Sequence, residues 1–418
     1  MIDSRLWLPY SQMQTVPPPL VVERTHGVRL VLADGRSLID GVASWWTACH
    51  GYNHPHIRAA VAAQLERMPH VMLGGLVHDQ ATTLAKRLAA LLPAGLEHVF
   101  FSESGSVAVE VAMKMALQFR INQGDFARTR FVSFAHAYHG DTFAAMSVCD
   151  PEEGMHHLFG GVLPEQLVLS VPRDRRLAAD FERRVAAHAR ELTAVIVEPL
   201  VQAAGGMKFH SPETLATIAT VARRYGLLLI ADEIATGIGR TGTMFACEQA
   251  GVVPDIVTVS KALTGGTVPL AATVAAKHVY DAFLSDDFNN ALMHGPTYAG
   301  NALACAAANA SLDLFESEPR LAQVAGIEAA LAAGLDVCRA LPGVADIRVK
   351  GAIGVVQLER RPNLDALRQR FVRHGVFVRP FADVVYLMPA LVIEPEDLAA
   401  LVEATRAVLV EAAAAGEV

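Results

Sequence analysis

The chain has 418 residues, of which 52% are hydrophobic and 19% charged, with a formal net charge of −8. This composition predicts a large buried core rather than disorder, and the mild negative charge offers no basic surface to nucleic acid. The five cysteines form no CxxC pair, residues 1–14 lack a secretory pattern, and no apolar run reaches the roughly 18 residues of a membrane span, so we expect a cytoplasmic protein.

The N-terminal region predicts short strands that follow a stiff connector. Tyr10 precedes Pro17–Pro19, and proline favours an extended, non-helical chain. The predicted strands are residues 21–23, 28–32 and 37–40. Trp45 and Trp46 come next, and on residue type alone a tryptophan pair is more typical of a core than of a ligand site. The three histidines of residues 50–56 match no tetrahedral metal pattern, so we expect no metal.

A strand, a turn and a helix then follow the predicted helices 57–68 and 79–92. The strand is residues 99–101 and the helix 107–120. The first N–H groups of a helix have no internal partner and attract anions. Gly105 lets the backbone approach a ligand, and Ser106 adds a hydroxyl donor. Alone, this pattern is more typical of an ordinary helix cap, and a phosphate site is favoured only with the groups described below.

The next strands end in aromatic and acidic residues. Strand 131–134 leads to Tyr138, whose ring could stack on a planar cofactor. Near it, three polar residues are expected to hold the loop by hydrogen bonds rather than to bind metal: His136, His139 and Asp141. Strand 195–197 ends at Glu198, which we expect near Asp232, at the end of the following strand, or near the ring of a bound cofactor.

Two apolar strands end in an acid and an amine. Residues 227–231 run into Asp232, and residues 255–259 run into Lys261. Continuous apolar runs are typical of buried parallel strands, and ligands bind beyond the carboxyl ends of such strands. A lysine can form a Schiff base with an aldehyde, and pyridoxal phosphate also requires an acid that keeps its ring nitrogen protonated. The pair therefore favours a pyridoxal phosphate site.

Residues 237–242 match the pattern G-x-G-x-x-G of dinucleotide-binding loops. Those glycines must lie directly between a strand and a helix, but here residues 232–236 intervene, including two acids that would repel a pyrophosphate. A nicotinamide-dependent oxidoreductase, which depends on these glycines alone, is therefore the weaker alternative.

Thr297 is a further hydroxyl near a helix start, since it precedes the predicted helix 301–315. After this helix the sequence predicts an α+β region. Arg379 ends a strand, where a surface salt bridge is the simpler interpretation, although a guanidinium can also grip a carboxylate with two hydrogen bonds. The elements predicted here are a helix reaching about residue 341, strands 347–349, 355–358, 376–379 and 384–387, helix 364–374, and a final helix from about residue 396.

The sequence resembles the class III aminotransferases of pyridoxal phosphate fold type I over nearly the whole chain. The motif that carries the resemblance is an apolar strand followed by D-E, a G-R-T-G turn and then S-K-A-L-T-G-G. The resemblance implies an α/β fold: a large domain (50–311) with a mainly parallel sheet and a small α+β domain (1–49 with 312–418). It also implies a homodimer with shared active sites. One chain can hardly bring both helix starts, at Ser106 and near Thr297, to one phosphate, whereas a two-fold axis can.

The resemblance also implies roles for individual residues. Lys261 and Asp232 would be catalytic. The cofactor would be bound by Gly105, Ser106, Tyr138, Asp232, Lys261, Pro296 and Thr297. The substrates would be bound by Tyr10, Trp45, Tyr138, Arg240, Lys261, Gly295, Arg379 and Tyr386.

Finer marks are similar to the members that move an amino group from S-adenosylmethionine to 8-amino-7-oxononanoate in biotin synthesis, giving 7,8-diaminononanoate. They are the tryptophan pair before residues 50–55, then residues 294–297, and residues 379–381 with 386–389. Two alternatives remain open. The chain could act on ornithine, 4-aminobutyrate or ω-amines, or lysine could replace S-adenosylmethionine as the donor.

Overall fold

The computed structural model describes residues 5–152 and 155–418. Its strands are β1 (Val22–His26), β2 (Arg29–Leu32), β3 (Ser37–Asp40), β4 (Leu96–Ser102), β5 (Arg130–Phe134), β6 (Leu167–Leu169), β7 (Leu192–Val197), β8 (Val201–Gln202), β9 (Lys208–Phe209), β10 (Leu228–Asp232), β11 (Ile256–Val259), β12 (Ala271–Ala276), β13 (Val344–Lys350), β14 (Ile353–Leu358), β15 (Val376–Phe377) and β16 (Val384–Leu387). Its helices are α1 (Ala43–Trp46), α2 (Pro55–Arg67), α3 (Asp79–Leu91), α4 (Gly105–Asn122), α5 (Phe143–Ser147), α6 (Arg175–His188), α7 (Pro212–Arg224), α8 (Lys277–Asp281), α9 (Ala302–Ser317), α10 (Arg320–Asp336), α11 (Leu364–Arg373) and α12 (Pro395–Ala414).

A seven-stranded sheet forms the centre of the molecule, in the order β4-β12-β11-β10-β7-β5-β6. Strands β11, β10, β7, β5 and β6 pair in parallel, and β12 runs antiparallel to both of its neighbours. Every residue of β7, β10, β11 and β12 is buried. This burial explains their continuous apolar sequences, since a strand covered on both faces has no solvent side.

The predicted pairing of the two central strands is confirmed. Strands β10 and β11 are parallel neighbours, with Asp232 opposite Thr258, so both strands end at the same edge of the sheet. Strand β12 was not among the predicted elements, because its sequence AATVAA is rich in alanine, which is depleted in strands. The predicted helix reaching residue 341 is divided, since α9 ends at Ser317 and α10 begins after Pro319.

Two smaller sheets lie outside the central sheet, and the first of them joins the N-terminal and C-terminal parts of the chain. One has the order β1-β2-β3-β15 and the other β13-β14-β16. Strand β15 lies parallel to β3, with Phe377 opposite Asp40. Gly41 donates its N–H to the Phe377 carbonyl (2.9 Å) and accepts from the Met388 N–H (2.8 Å). The segment after β3 is therefore fixed beside the segments after β15 and β16.

One helical stretch among the described residues, Arg320–Ala340, is long and apolar enough to span a membrane, with a mean hydropathy of 1.5. Its residues Val324, Leu331 and Leu335 are fully buried. Helix α10 packs against α12 and against the β13–β14 hairpin. These contacts are those of a core helix, which passes the same test of length and composition.

Candidate active site

A buried cavity of about 180 Å³ lies at the carboxyl edge of the seven-stranded sheet. Asp232 ends β10, and Lys261 follows β11 by two residues. Because the strands are adjacent and parallel, both side chains reach the same cavity, as the sequence predicted. It is lined by Trp46, Gly105, Ser106, Tyr138, His139, Gly140, Glu198, Ala203, Ala204, Asp232, Ile234, Ala235, Ser260 and Lys261.

Asp232 is held by three donors. The His139 Nδ1 lies 2.7 Å from one carboxylate oxygen, and the other oxygen accepts from the Ile234 N–H (3.1 Å) and the Thr258 hydroxyl (3.2 Å). Burial alone would lower the pKa of His139, but the hydrogen bond to Asp232 and the charges of Asp232 and Glu198 raise it above its usual value. The contact with Asp232 therefore favours the protonated form of His139.

Glu198 adds a second buried carboxyl group to this edge. Its oxygens accept from the N–H groups of Tyr138 (3.1 Å) and Ala203 (2.9 Å). Burial raises the pKa of Glu198 to about 7, the charge of His139 opposes this, and the charge of Asp232 adds to it. Glu198 therefore lies near Asp232, as predicted. The four residues of this cluster are called the site floor below: Asp232, His139, Glu198 and Lys261.

Lys261 is a half-buried residue that lines the cavity, with its backbone in the left-handed region at φ 38°. Its Nζ lies 4.7 Å from the centre of the Trp46 ring. Burial lowers the pKa of Lys261 below its usual value, although the charges of Asp232, Glu198 and Asp141 oppose the change. A lysine with a lowered pKa has a larger neutral fraction, and the neutral amine is the form that can accept a proton.

Helix α4 begins at Gly105, and Ser104 caps it by accepting from the Val107 N–H (3.3 Å). The Ser106 hydroxyl accepts from the Asp141 N–H (3.0 Å). Gly140, at φ 131°, packs so tightly here that a Cβ would lie 2.4 Å from the Ser106 oxygen. The start of an 18-residue helix with free N–H groups therefore opens on the cavity, as an anion site requires.

The short element α1, Ala43 to Trp46, is a left-handed turn, with φ values of 45°, 48°, 55° and 75°. For residues other than glycine this conformation costs roughly 1–2 kcal/mol each, so it persists only where the surroundings hold it. The turn directs the two neighbouring tryptophans differently. Trp46 is buried against Lys261 and Tyr386, whereas Trp45 remains 40% exposed.

Trp45 contacts two other residues predicted to bind substrate. Its ring lies 6.4 Å from the Tyr10 ring in a T-shaped arrangement, and the Arg379 Cζ lies 4.9 Å from its centre. Burial lowers the pKa of Arg379, and the charge of Arg368 adds to this. Tyr386 is buried, and burial raises its pKa to about 12. Tyr10 and Arg379 line a second cavity rather than the one that holds Lys261. Together with Trp45 they are called the site rim below.

Asp141 links the rim to Tyr138. It accepts from the hydroxyl groups of Tyr10 (2.5 Å) and Tyr138 (2.9 Å), and the His156 Nε2 lies 3.3 Å away. The His156 ring stacks 6.0 Å from that of Tyr138. His156 was not among the predicted site residues, because nothing in its local sequence marks it. Of the other predicted loop residues, His136 donates its N–H to Asp150 (2.6 Å).

The structure does not bring Arg240 into the cavity. It is 2% exposed, and its Nη1 donates to the carbonyls of Ala352 (3.2 Å) and Pro389 (2.7 Å). Burial lowers its pKa to about 10, and the neighbouring Cys49 opposes this. The geometry therefore makes Arg240 a link between the 237–242 turn and the C-terminal region, and gives no support to its predicted contact with substrate.

Gly295, Pro296 and Thr297 are also absent from the cavity of their own chain. Thr297 is exposed at the surface. Its neighbour Tyr298 packs on His70, with ring centres 4.7 Å apart, and Asn301 donates to the Pro69 carbonyl (3.3 Å). The two segments that meet in this contact carry apolar side chains that are more than half exposed, called the apolar patch below: Met72, Leu76, Val77, Met293 and Tyr298.

The chain matches the family model described as aminotransferase class-III over residues 10–409. It therefore belongs to the class III aminotransferases, and the fold and the aminotransferase class predicted from its sequence are confirmed.

Among its relatives is the adenosylmethionine-8-amino-7-oxononanoate aminotransferase of Corynebacterium glutamicum, which is 44% identical over 97% of both chains. The protein of that name from Mycobacterium leprae is 46% identical over 96% of this chain and 94% of its own.

Solved structures agree over the full length. An adenosylmethionine-8-amino-7-oxononanoate aminotransferase from Methanocaldococcus jannaschii is 32% identical, covers 97% of both chains and has a TM-score of 0.94. An amine transaminase from an uncultivated Pseudomonas species, in its pyridoxal-phosphate-bound form, is 31% identical with a TM-score of 0.91, and covers 98% of this chain and 99% of its own. A protein named for adenosylmethionine and 8-amino-7-oxononanoate and a protein named for amines therefore share this fold.

Proposed function

We propose that this chain transfers an amino group from S-adenosylmethionine to 8-amino-7-oxononanoate, giving 7,8-diaminononanoate for biotin synthesis. The observation that carries the proposal is the pairing of an amine and a buried carboxylate, Lys261 and Asp232, in one cavity. Beside it, Tyr10 joins Tyr138 of the cavity lining to the contact between Trp45 and Arg379. Full-length relatives that bear the name of this activity support the choice of substrates.

The cavity fits pyridoxal phosphate by the chemistry of its groups. Lys261 offers the amine, Asp232 the acid for a ring nitrogen, and Gly105 and Ser106 the helix start for a phosphate. Tyr138 lines the same cavity and would contact the ring. When bound, the cofactor supplies an aldehyde that takes up the amino group and a ring that withdraws electrons from the reacting carbon.

The side chains divide the work between proton transfer and binding. Because burial lowers its pKa, the Lys261 Nζ can accept the proton of the donor's α-carbon and return it later. Asp232, charged and held by His139, would keep the ring nitrogen protonated. Arg379 would grip the carboxylate of the ketone, with Tyr10, Trp45, Tyr138 and Tyr386 around its chain.

The test of the donor is a half-reaction screen. The holoenzyme is mixed with S-adenosylmethionine, lysine, ornithine, 4-aminobutyrate or a simple ω-amine, one at a time, and loss of the cofactor's visible absorbance is followed. We expect S-adenosylmethionine to act fastest, and 8-amino-7-oxononanoate to restore the absorbance. A fast reaction with lysine alone would identify lysine as donor, and a fast reaction with the other amines would contradict the proposed substrates.

We propose that the active form is a homodimer in which Gly295, Pro296 and Thr297 serve the site of the other chain. These residues lie outside the cavity of their own chain, and the exposed apolar patch beside them suits a second copy. The Thr297 hydroxyl suits a phosphate oxygen, although it lies five residues before α9 begins at Ala302.

Complementation tests this arrangement. Lys261→Ala and Thr297→Asp should each be nearly inactive alone, because one lacks the amine and the other repels the phosphate. A mixed dimer has one site with both lesions and one site with neither, so co-refolded mixtures should recover activity. Thr220→Asp, on an exposed face of α7, is the matched control and should keep activity. No recovery after demonstrated subunit exchange would mean that Lys261 and Thr297 of the same chain serve one site, and would refute the shared arrangement.

The division of the chain into a small domain (1–49 with 312–418) around a large one (50–311) is also our proposal, as is a cytoplasmic location. Pairing of β15 with β3 supports the first, because it joins the two ends of the chain in one sheet. Five buried free cysteines support the second, since such thiols persist in a reducing compartment.

A further inference from the structure

Asp40 caps the left-handed turn that carries the two tryptophans. It ends β3, is 2% exposed, and accepts from the N–H groups of Val42 (2.9 Å) and Ser44 (2.9 Å). The Tyr52 hydroxyl donates to the same carboxylate (2.5 Å) and also bonds to the Ser44 hydroxyl. Two backbone donors and one side chain thus hold four residues in a conformation that they would otherwise leave.

The two tryptophans depend on this turn to different degrees. Trp46 lies in a buried apolar cluster with Tyr386 and Met388. Packing therefore holds its ring independently of the backbone conformation of the turn. Trp45 is 40% exposed, and its ring contacts are the edge of Tyr10 and the guanidinium of Arg379. Its position therefore follows from the backbone of the turn, and Arg379 is placed against it because β15 is the parallel neighbour of β3.

We propose that Asp40 and Tyr52 are positioning residues for the acceptor: by fixing the left-handed turn, they set Trp45 against Arg379 and so determine the affinity for a carboxylate-bearing ketone. The role in affinity rests on the proposed function. The placement of Trp45 does not, since it is a property of the protein without substrate.

Tyr52→Phe tests the proposal, because it removes the shared hydroxyl and keeps the ring. The variant is made in a Trp7→Phe background, since Trp7 is 84% exposed and only three tryptophans are present. We expect weaker near-ultraviolet circular dichroism from the remaining pair. We also expect a rise of about twofold to tenfold in the KM for the ketone, the range for one hydrogen bond, with the donor half-reaction unchanged. Tyr225→Phe, whose hydroxyl lies 3.5 Å from Glu182, is the matched control and should change neither.

A rescue experiment separates positioning from general stability. Asp40→Asn should weaken the tryptophan signal and raise the ketone KM, and adding Ser44→Gly should restore part of both, because glycine adopts φ 48° without steric cost. Equal damage to both half-reactions, an unchanged tryptophan signal in Tyr52→Phe, or no rescue by glycine would overturn the proposal. If the unmodified protein does not transaminate the ketone, the proposed function fails, and the tryptophan signal still decides whether Asp40 holds the turn.

Discussion

The site floor and the site rim are built by different parts of the chain and respond to different forces. The floor lies at the ends of adjacent buried strands and in the loop after β5, where burial changes the pKa values of Lys261, His139 and Glu198. The rim comes from the N-terminal segment and the segment after β15, and Tyr10 and Trp45 are 50% and 40% exposed. The floor can therefore supply the chemistry common to the family. The residues of the rim can differ, and so favour a different substrate, without disturbing the floor.

The largest effect is expected from Lys261→Ala, which removes the only lysine that lines the cavity among the described residues. We expect turnover to fall to background, since proton transfer by such a group contributes about 10²–10⁴-fold and the covalent attachment is lost as well. Borohydride reduction and peptide mapping should label Lys261 in the unmodified holoenzyme. Lys277→Ala, at an exposed lysine paired with Asp281, is the control and should behave as wild type. Label on another lysine would refute the assignment of the floor.

Asp232→Asn should have the next largest effect, a loss of about 10²–10³-fold in both half-reactions, the usual range for a preorganised charge. The amide keeps the shape of the side chain but not its charge, so the ring nitrogen would no longer be held protonated. Single-turnover absorbance measurements give both rates, and circular dichroism checks the fold. Near-normal rates with bound cofactor would make Asp232 structural. Asp281→Asn, at an exposed residue, is the control.

Arg379→Ala should have a smaller effect that is confined to one half-reaction. Loss of a charged hydrogen bond costs about 1.5–3 kcal/mol, so the ketone should bind roughly tenfold to a hundredfold more weakly, with little change for the donor. Stopped-flow titration of each half-reaction measures this difference. Arg339→Ala, an exposed arginine paired with Asp336, is the control. Equal losses in both half-reactions would remove the distinction between floor and rim.

The sequence predicted the floor better than the rim, for a physical reason. Asp232 and Lys261 directly follow apolar strands, so the periodicity of the sequence already indicated a common sheet edge. The contact of Trp45 with Arg379 depends on the pairing of β3 with β15, more than 330 residues apart, which no local pattern encodes. The left-handed turn at residues 43–46 was equally hidden, because it contains no glycine. His156 reaches the site through tertiary packing alone.

Glu198→Gln is expected to change the pH dependence of stability, and it tests whether the site floor holds a second charged carboxylate. Burial raises the pKa of Glu198 to about 7, above its ordinary 4.5, so the folded state holds this proton more tightly than the unfolded state. The stabilisation is fully present below pH 4.5 and is lost as the pH rises through about 7. In total it amounts to about 3 kcal/mol, since one pKa unit corresponds to about 1.4 kcal/mol.

Urea unfolding of the cofactor-free protein between pH 4.5 and 8 measures this change. The free energy of unfolding of the wild type should fall relative to that of Glu198→Gln as the pH rises, and the difference should level off above about pH 7. The amide cannot accept from both the Tyr138 and the Ala203 N–H groups, but that loss is independent of pH and leaves the slope unchanged. Glu213→Gln, at an exposed acid near the start of α7, should follow the wild type. Parallel profiles for wild type and Glu198→Gln would mean that Glu198 stays charged, so that the floor holds two carboxylates against His139 and Lys261 rather than one.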